Sequence, residues 1–447
     1  MDELKDAFKN MSNLRCADND GLVVGMIKYG SLSLHERICE AFNSILHTGQ
    51  IFEDWHNTIF QMLPKHGDGT QPGNWRPIAI LPILYKLFAK LLYQRLSPLL
   101  FQHQSFDQNV FVLGRRIEDG LFCIEIMTEY ALEFNVPLWI LNMDLKKAFD
   151  TINHQALFAG LRHHDIPEEY IHLIILLYSN QIGTVYDSDL FGIKRGVKQG
   201  DCLSAIFFNC ILDIVFDRWK ETLKTEGIMI ENFLCRLTNT RYADDILLYV
   251  KNLEELVFMI ENLTKELRKV GLVLNTDKTN ILHTPLEDDE NTKLDYVEID
   301  DGLVQILHPE ESHRYLGRLI SMSADGRGNI EFNNRRRQAW AAFHKHKRIL
   351  LNQNVSLKKR LDFFVCCVNP AMLFGLIVFP MSKHMLKDID ILQRKMLRRI
   401  VGWRRIDDET WKDTMTRMKH RMQRAQSLHF CFSIHIIYIL DISKSLN

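Results

Sequence analysis

"RYADDILLY" (residues 241–249) sets Asp244 beside Asp245 inside a run that otherwise has the composition of a buried strand. An unpaired charge in such a place costs several kcal/mol. Side chains alternate faces along a strand, so two adjacent aspartates in a regular strand point in opposite directions. A hairpin with Ala243 and Asp244 at its tip removes that conflict: Asp244 projects outward and Asp245 opens the return strand. A second segment, "PLWILNMDL" (137–145), is a nearly continuous apolar run of the kind found in strands buried on both faces, and it ends at Asp144. If the hairpin pairs beside that strand, Asp144 and Asp244 converge at one sheet edge. Carboxylates brought together without a counter-charge force one another's pKa upward. Mg²⁺ answers that conflict, because one or two carboxylates hold it while substrate phosphates complete its octahedron. Two such ions, about 4 Å apart, stabilise the attacking and leaving oxygens of an in-line phosphoryl displacement.

Around these segments the sequence alternates helix and strand signals. In "SLSLHERICEAFNSILHTG" (31–49) Ser33 and Glu36 form a capping box and Gly49 a stop. "PKHGDGTQPGNWRP" (64–77) reads as a loop, and no GK[ST] follows its glycines, which excludes a P-loop. Pro82 opens a second helix. "FGIKRGVKQGDCLS" (191–204) reads as a strand pair with a turn, leading into a helix from about Leu203 to Lys224. A further helix runs from Leu253 to Val270, with Gly271 as its stop. Residues 284–295 are acidic and aperiodic, a surface loop. Beyond about Asn329 the pattern is helical and basic. Three segments follow, 1–135, 136–325 and 326–447.

The chain has 447 residues, long enough for several domains, and its 55 Lys and Arg nearly cancel its 56 Asp and Glu. The balance is uneven along the chain. Between Arg335 and Arg424 there are 22 Lys or Arg against 7 Asp or Glu. A solvated helical face explains scattered positive charge but not an excess of this size, which points to a polyanionic partner. Nine cysteines without a CxxC pair, and no secretory signal at the start, fit reduced thiols of the nucleus or cytoplasm rather than a secreted protein. The apolar stretch from Leu428 to Leu440 is too short for a bilayer-spanning helix, so no membrane anchor is expected.

Taken in order, "NWRPIAILPILYKLFAKLLYQRL", "LNMDLKKAFDTINH", "GVKQGDCLS", "RYADDILLY", "GLVLNTDKTNIL" and "RYLGRLI" resemble the successive motifs of reverse transcriptases from non-LTR (LINE-like) retrotransposons. The resemblance spans roughly residues 1–425 and implies an α+β right-hand polymerase: fingers (1–135), a palm with an antiparallel sheet (136–325) and a basic helical thumb (326–447). It implies that Asp144 and Asp244, with Asp245 beside them, bind two Mg²⁺ ions, or Mn²⁺ in their place. Phe149 matches the aromatic under the incoming sugar, although the residues alone favour a core Phe. Gln199 and Gly200 match the segment lining the nucleotide pocket. Arg76 resembles a fingers residue that grips the triphosphate, a task suited to its fixed fork, and Arg115 is a weaker match. Lys278 matches a lysine that protonates the leaving pyrophosphate, a solvated turn lysine being the plainer reading. Tyr315, Leu316 and Gly317 resemble the primer grip.

Arg335, Arg336, Lys345 and Lys347 are expected to face outward from a helix whose Trp340 and Phe343 face the core. There they would meet the phosphates of an RNA template paired with a DNA primer or nicked DNA target, with dNTPs as substrates. No protein partner is implied. "HQSFDQNVFVLGRR" (103–116) fits the second fingers motif only loosely, with Asp107 and Asn109 where the family carries glycine or basic residues. The expectation is also of a copy lacking the family's upstream endonuclease domain and ending in twenty foreign residues. Three rival readings stand beside polymerisation of DNA: a catalytically inactive remnant that still binds nucleic acid, an RNA-dependent RNA polymerase, and a maturase.

Overall fold

The structure is a computed structural model that describes residues 1–428 apart from 10, 14–16, 66, 186–187, 231–234, 286–293, 300–301, 324–325, 380 and 403. Most of the acidic loop and nearly all of the apolar tail read from the sequence therefore lie outside the described residues. The chain forms two compact units. One comprises Met1–Arg116, Trp139–Ile281 and Tyr296–Ile306, and the other Ile117–Leu138, Leu282–Asp295 and Leu307–Asn447. This differs from the three consecutive segments expected: residues 1–116 share a core with the central sheet, whereas the Ile117–Glu133 helix joins the C-terminal helices.

The first unit is built on the apolar strand Trp139–Met143, buried at every residue. It pairs antiparallel with Asp245–Val250, which pairs in turn with Asn239–Tyr242. The whole six-stranded sheet runs Tyr296–Ile299, Gly302–Leu307, Asn280–His283, Trp139–Met143, Asp245–Val250, Asn239–Tyr242. Helices Cys202–Glu221 and Leu253–Lys269 belong to its core, joined where the Trp219 indole donates to the Met259 carbonyl at 2.9 Å. The Leu253–Lys269 helix, capped by Asn252 and followed by Gly271, matches the sequence expectation. The Leu32–Thr48 helix is capped by Ser31 rather than Ser33, whereas Ile83–Gln102 starts after Pro82 as expected.

A second sheet was not legible in the sequence. Asn57–Pro64 and Trp75–Ile80 form an antiparallel hairpin around the Gly/Pro-rich loop, and Ile182–Val185 adds to it in parallel, with Phe191–Gly192 at the edge. Of the expected strand pair in 191–204 only those two edge residues are strand.

In the second unit helices Arg327–Lys345, Leu357–Cys367, Lys383–Val401 and Trp411–Leu428 gather around Phe332, Phe343, Leu361, Phe364, Met396 and Ile400. Glu125, on the Ile117–Glu133 helix, receives Arg318 at 2.8 Å and Arg327 at 3.3 Å. Among the described residues one stretch, Leu357–Val378, is long and apolar enough to cross a membrane by length and composition. Here its Leu361, Phe364, Val368 and Met372 are core residues.

Candidate active site

The hairpin forms as its sequence requires. Tyr242 pairs directly with Asp245, leaving Ala243 and Asp244 as a two-residue turn, and Ala243 carries the positive φ (57°) that such a turn demands. Because Met143 pairs with Ile246, one more step of the register sets Asp144 opposite Asp245. The three aspartates thus meet at one end of the sheet, where the buried strands have supplied rigidity and the turn has supplied access.

Their electrostatics record the crowding. Burial pushes Asp244 above the ordinary carboxylate range and the negative charge of Asp144 adds to it, while Asp244's own amide and the cations Arg76 and Lys65 pull it back. Asp245 is pushed up to about 6, first by burial and then by Asp244 and Asp144. Asp144 is fixed by a turn from the next strand. Its amide donates to the Thr279 hydroxyl at 3.2 Å, its carbonyl accepts from the Asn275 amide at 2.9 Å, and its Oδ2 accepts from Asn275 Nδ2 at 2.6 Å. Asn275 was not singled out in the sequence, although it begins the "NTDK" turn. Lys278 sits in that turn, exposed, three residues beyond Asn275.

Hard carboxylate oxygens of like charge, crowded at Asp144, Asp244 and Asp245, have the chemistry that a hard divalent cation takes. Among the described residues no three His, Cys, Asp or Glu side chains are grouped so as to hold a metal ion between them. A cation at Asp144 and Asp244 would therefore draw further ligands from water or a phosphate, as Mg²⁺ commonly does.

Two cations, Arg76 and Lys65, act electrostatically on Asp244. Arg76 lies in the Trp75–Ile80 strand, exposed, opposite Leu63, and Lys65 follows that partner strand. Lys65, which no sequence motif singles out, acts electrostatically on both Asp244 and Asp150. Gln199 Nε2 donates to Asp150 Oδ1 at 2.9 Å, and the Gln199 carbonyl accepts from Ala79 at 2.8 Å, tying the "KQGD" segment to the Arg76 strand. Gly200 has φ +117°, where a side chain would be strained, and a Cβ there would press on the Ala79 carbonyl oxygen from 3.2 Å. Phe149 stacks on Phe208 with ring centroids 4.5 Å apart and planes 10° off parallel, and it remains half-buried. One face is core, as the plainer reading held, and the ring is rigid.

Arg115 uses its Nη1 locally, donating to the carbonyls of Phe106 and Gln108 and to Asn109 Oδ1, so this arm of its fork shapes the 106–109 loop. One expectation is corrected: Arg335 does not face outward. It is 5 % exposed, its guanidinium lies over Phe374, and it donates to Glu331 and to the Gly317 carbonyl. Arg336, Lys345 and Lys347 are exposed as expected, Phe343 is buried and Trp340 partly so. In the same unit Tyr315 is 2 % exposed and ends one arm of a hairpin whose turn, Leu316–Gly317, has positive φ at both residues.

Residues 63–320 match the family model described as reverse transcriptase (RNA-dependent DNA polymerase), a span that holds Asp144, Asp244, Asp245, Lys65, Arg76, Phe149, Gln199, Gly200, Asn275 and Lys278. The chain belongs to the reverse transcriptase family. Its relatives bear out the non-LTR retrotransposon resemblance. It is 26 % identical over 361 residues to a Pol polyprotein from the type-1 retrotransposable element R2 of Popillia japonica, covering 78 % of this chain and 48 % of that protein. It is 28 % identical over 266 residues to an uncharacterized 149 kDa protein of transposon TX1 from Xenopus laevis (57 % and 20 %). It is also 29 % identical over 229 residues to the R2DM Pol polyprotein of Drosophila melanogaster (49 % and 20 %). The chain thus spans less than half the length of these curated relatives. Among solved structures it is similar to the telomerase of Candida albicans bound to a fragment of telomeric RNA, at 14 % identity and TM-score 0.40, covering 93 % of this chain and 69 % of that one. The α+β right-hand polymerase class expected from the motifs is the family's fold, and the six-stranded sheet with its helices agrees with it.

Proposed function

We propose that the chain copies an RNA template into DNA, adding dNTPs to the 3′-hydroxyl of a DNA primer or nicked target. The observation that carries this is the meeting of Asp144, Asp244 and Asp245 at one sheet end, in a chain of this family, with Arg76 and Lys65 as the nearby cations. Asp144 and Asp244 would hold the divalent ions, with Asp245 alongside, and bound Mg²⁺ supplies charge neutralisation and polarisation of the reacting oxygens. The protein's own part is positioning. Asn275 and Thr279 fix Asp144, and the hairpin turn fixes Asp244. Arg76 and Lys65 attract the triphosphate, whose charge is opposite to theirs. Gln199 and Gly200 bring the backbone close to the nucleotide, and the rigid Phe149 ring limits the room at C2′. Lys278, carried on the turn bound to Asp144, would hand a proton to departing pyrophosphate. Such chemistry needs no covalent intermediate; orientation and electrostatics lower the barrier.

Arg336, Lys345 and Lys347 would track template–primer phosphates without reading sequence. Extension of a DNA primer on an RNA template by the purified chain tests the proposal: Mg²⁺-dependent growth of the primer with dNTPs supports it. Nucleic-acid binding with no extension in Mg²⁺ or Mn²⁺ would favour the inactive remnant instead.

A further inference from the structure

The loosely matching segment after the Ile83–Gln102 helix has a place in the structure that its motif does not suggest. Residues 107–109 run alongside the Asn239–Tyr242 strand as a short parallel extension. Arg241 donates its amide to the Asp107 carbonyl at 2.7 Å, Asn109 donates to the Arg241 carbonyl at 2.8 Å, and Gln108 bridges to Arg241. Gln108 is fully buried, and its Oε1 accepts two amides, that of Val110 and that of Ala243, each at 3.2 Å. Both neighbours are N–H donors, which fixes the amide's orientation with its oxygen toward the turn.

We propose that Gln108 is a positioning residue for Asp244, setting the carboxylate through the amide of Ala243; the proposal rests on the polymerase reading of this site. Three features direct the constraint to the turn. Ala243 holds a positive φ that a non-glycine residue adopts at a cost, so the turn depends on its surroundings to persist. The Ala243 amide finds its acceptor in a side chain from 135 residues away, which makes Gln108 a long-range tie. The segment bearing Gln108 is itself anchored on both sides. Lys220 pairs with Asp107, Asn209 Nδ2 donates to the Val110 carbonyl at 2.9 Å, and Arg115 holds the Phe106 and Gln108 carbonyls. Beneath it, fully buried Arg241 is paired with Asp213 at 3.0 Å and covers the Phe216 ring at 4.3 Å, so the strand leading to the turn cannot slide. A segment that fits the family pattern only loosely is thus the clamp on the turn that carries Asp244. In this chain its polar Asp107 and Asn109 serve strand pairing and an ion pair.

Gln108→Met keeps volume and removes the acceptor; Gln108→Asn keeps an amide but withdraws the oxygen by one methylene, and covers the case in which the first variant does not fold. Two readouts are needed. In single-nucleotide insertion on an RNA template, kcat falls roughly ten- to a hundredfold, as expected for a reacting group displaced by up to about 1 Å. The Mg²⁺ concentration for half-maximal rate rises, while KM for dNTP and duplex affinity stay near wild type. Independently of turnover, Mn²⁺ binding to the chain without substrate, followed by the loss of free-ion electron paramagnetic resonance signal, weakens in the same variants. A variant that melts like wild type and keeps both its kcat and its Mn²⁺ affinity overturns the proposal. A lowered active fraction with unchanged Mg²⁺ dependence also overturns it, reducing Gln108 to a fold residue. If the wild-type chain extends no primer, the polymerase reading fails, and the Mn²⁺ comparison still decides whether Gln108 shapes the carboxylate turn.

Discussion

The carboxylate end of the central sheet and the buried ion pairs of the C-terminal unit treat charge in opposite ways. At the end of the central sheet, Asp144, Asp244 and Asp245 are brought together with like sign, and Asp244 and Asp245 are raised by burial and by their neighbours. In the C-terminal unit the buried charges are matched inside the protein: Arg318 and Arg327 to Glu125, and Arg335 to Glu331. Matched burial serves structure, because breaking such a pair leaves an uncompensated ion. Crowding of like charges serves no fold, and it persists where something from outside the chain neutralises it. The contrast separates a site from a scaffold more sharply than net charge does.

The first way to break this comparison is at the carboxylates. Asp144→Ala or Asp244→Ala should lower the extension rate by about a thousandfold or more, the several kcal/mol that polarisation by a metal supplies. Affinity for an RNA–DNA duplex should be nearly unchanged, as measured by fluorescence anisotropy. Retained extension in either variant would remove that residue from catalysis.

In the C-terminal unit the prediction inverts. Arg335→Gln should cost about 3 kcal/mol of stability, seen in denaturant titration, because it strands buried Glu331. Replacing Arg336, Lys345 and Lys347 together by Gln should leave melting nearly unchanged. It should instead reduce the slope of log affinity against log salt by roughly 0.7–0.9 for each phosphate that is no longer neutralised. An unaltered slope would mean that these exposed cations only solvate a helix.

Phe149 lies between the two kinds of role, packed on Phe208 yet half-open. Phe149→Val should raise ribonucleotide relative to deoxynucleotide insertion by roughly tenfold to a hundredfold, the preference that overpacking of a rigid site generates. An unchanged selectivity ratio in an active variant would return the ring to the core and reopen the RNA-polymerase reading.

The smallest effect concerns pH. The folded state holds the Asp245 proton up to about pH 6, whereas the ordinary value for the unfolded chain is 3.8. The native state therefore binds more protons than the unfolded one across that window, and stability of the metal-free protein falls as pH rises through it. Asp245→Asn should stabilise the metal-free protein at pH 7 by on the order of 1–2 kcal/mol, after allowance for partial exposure. The gain should vanish below about pH 4. A gain independent of pH would show that electrostatic crowding is not its source.

Much of the sheet end was legible because its signals are local and strongly patterned. A continuous apolar run ending in Asp144 and a two-residue turn at Ala243–Asp244 each follow from a handful of adjacent residues, and the structure places them as read. The Asn57–Ile80 hairpin was not legible: the Gly/Pro signal of its loop masked both strands, and the further partner of Asn57–Pro64, Ile182–Val185, lies more than a hundred residues away. Arg335 was misplaced for a related reason. Helical periodicity identifies the face a residue occupies, but not that Glu331 and the Gly317 carbonyl wait there to receive it. Gln108, Lys65 and Asn275 were not singled out within their segments, and their relation to the carboxylates exists only in three dimensions.

The central claim is that the crowded carboxylates are completed by a cation from outside the chain. Crystals of the protein with template–primer and an incoming dNTP on a chain-terminated primer, grown with Mn²⁺, would test it through anomalous scattering. Manganese peaks are expected, ligated by the carboxylates of Asp144 and Asp244 and by phosphate oxygens. Bound nucleotide with no peak between those two aspartates would contradict it.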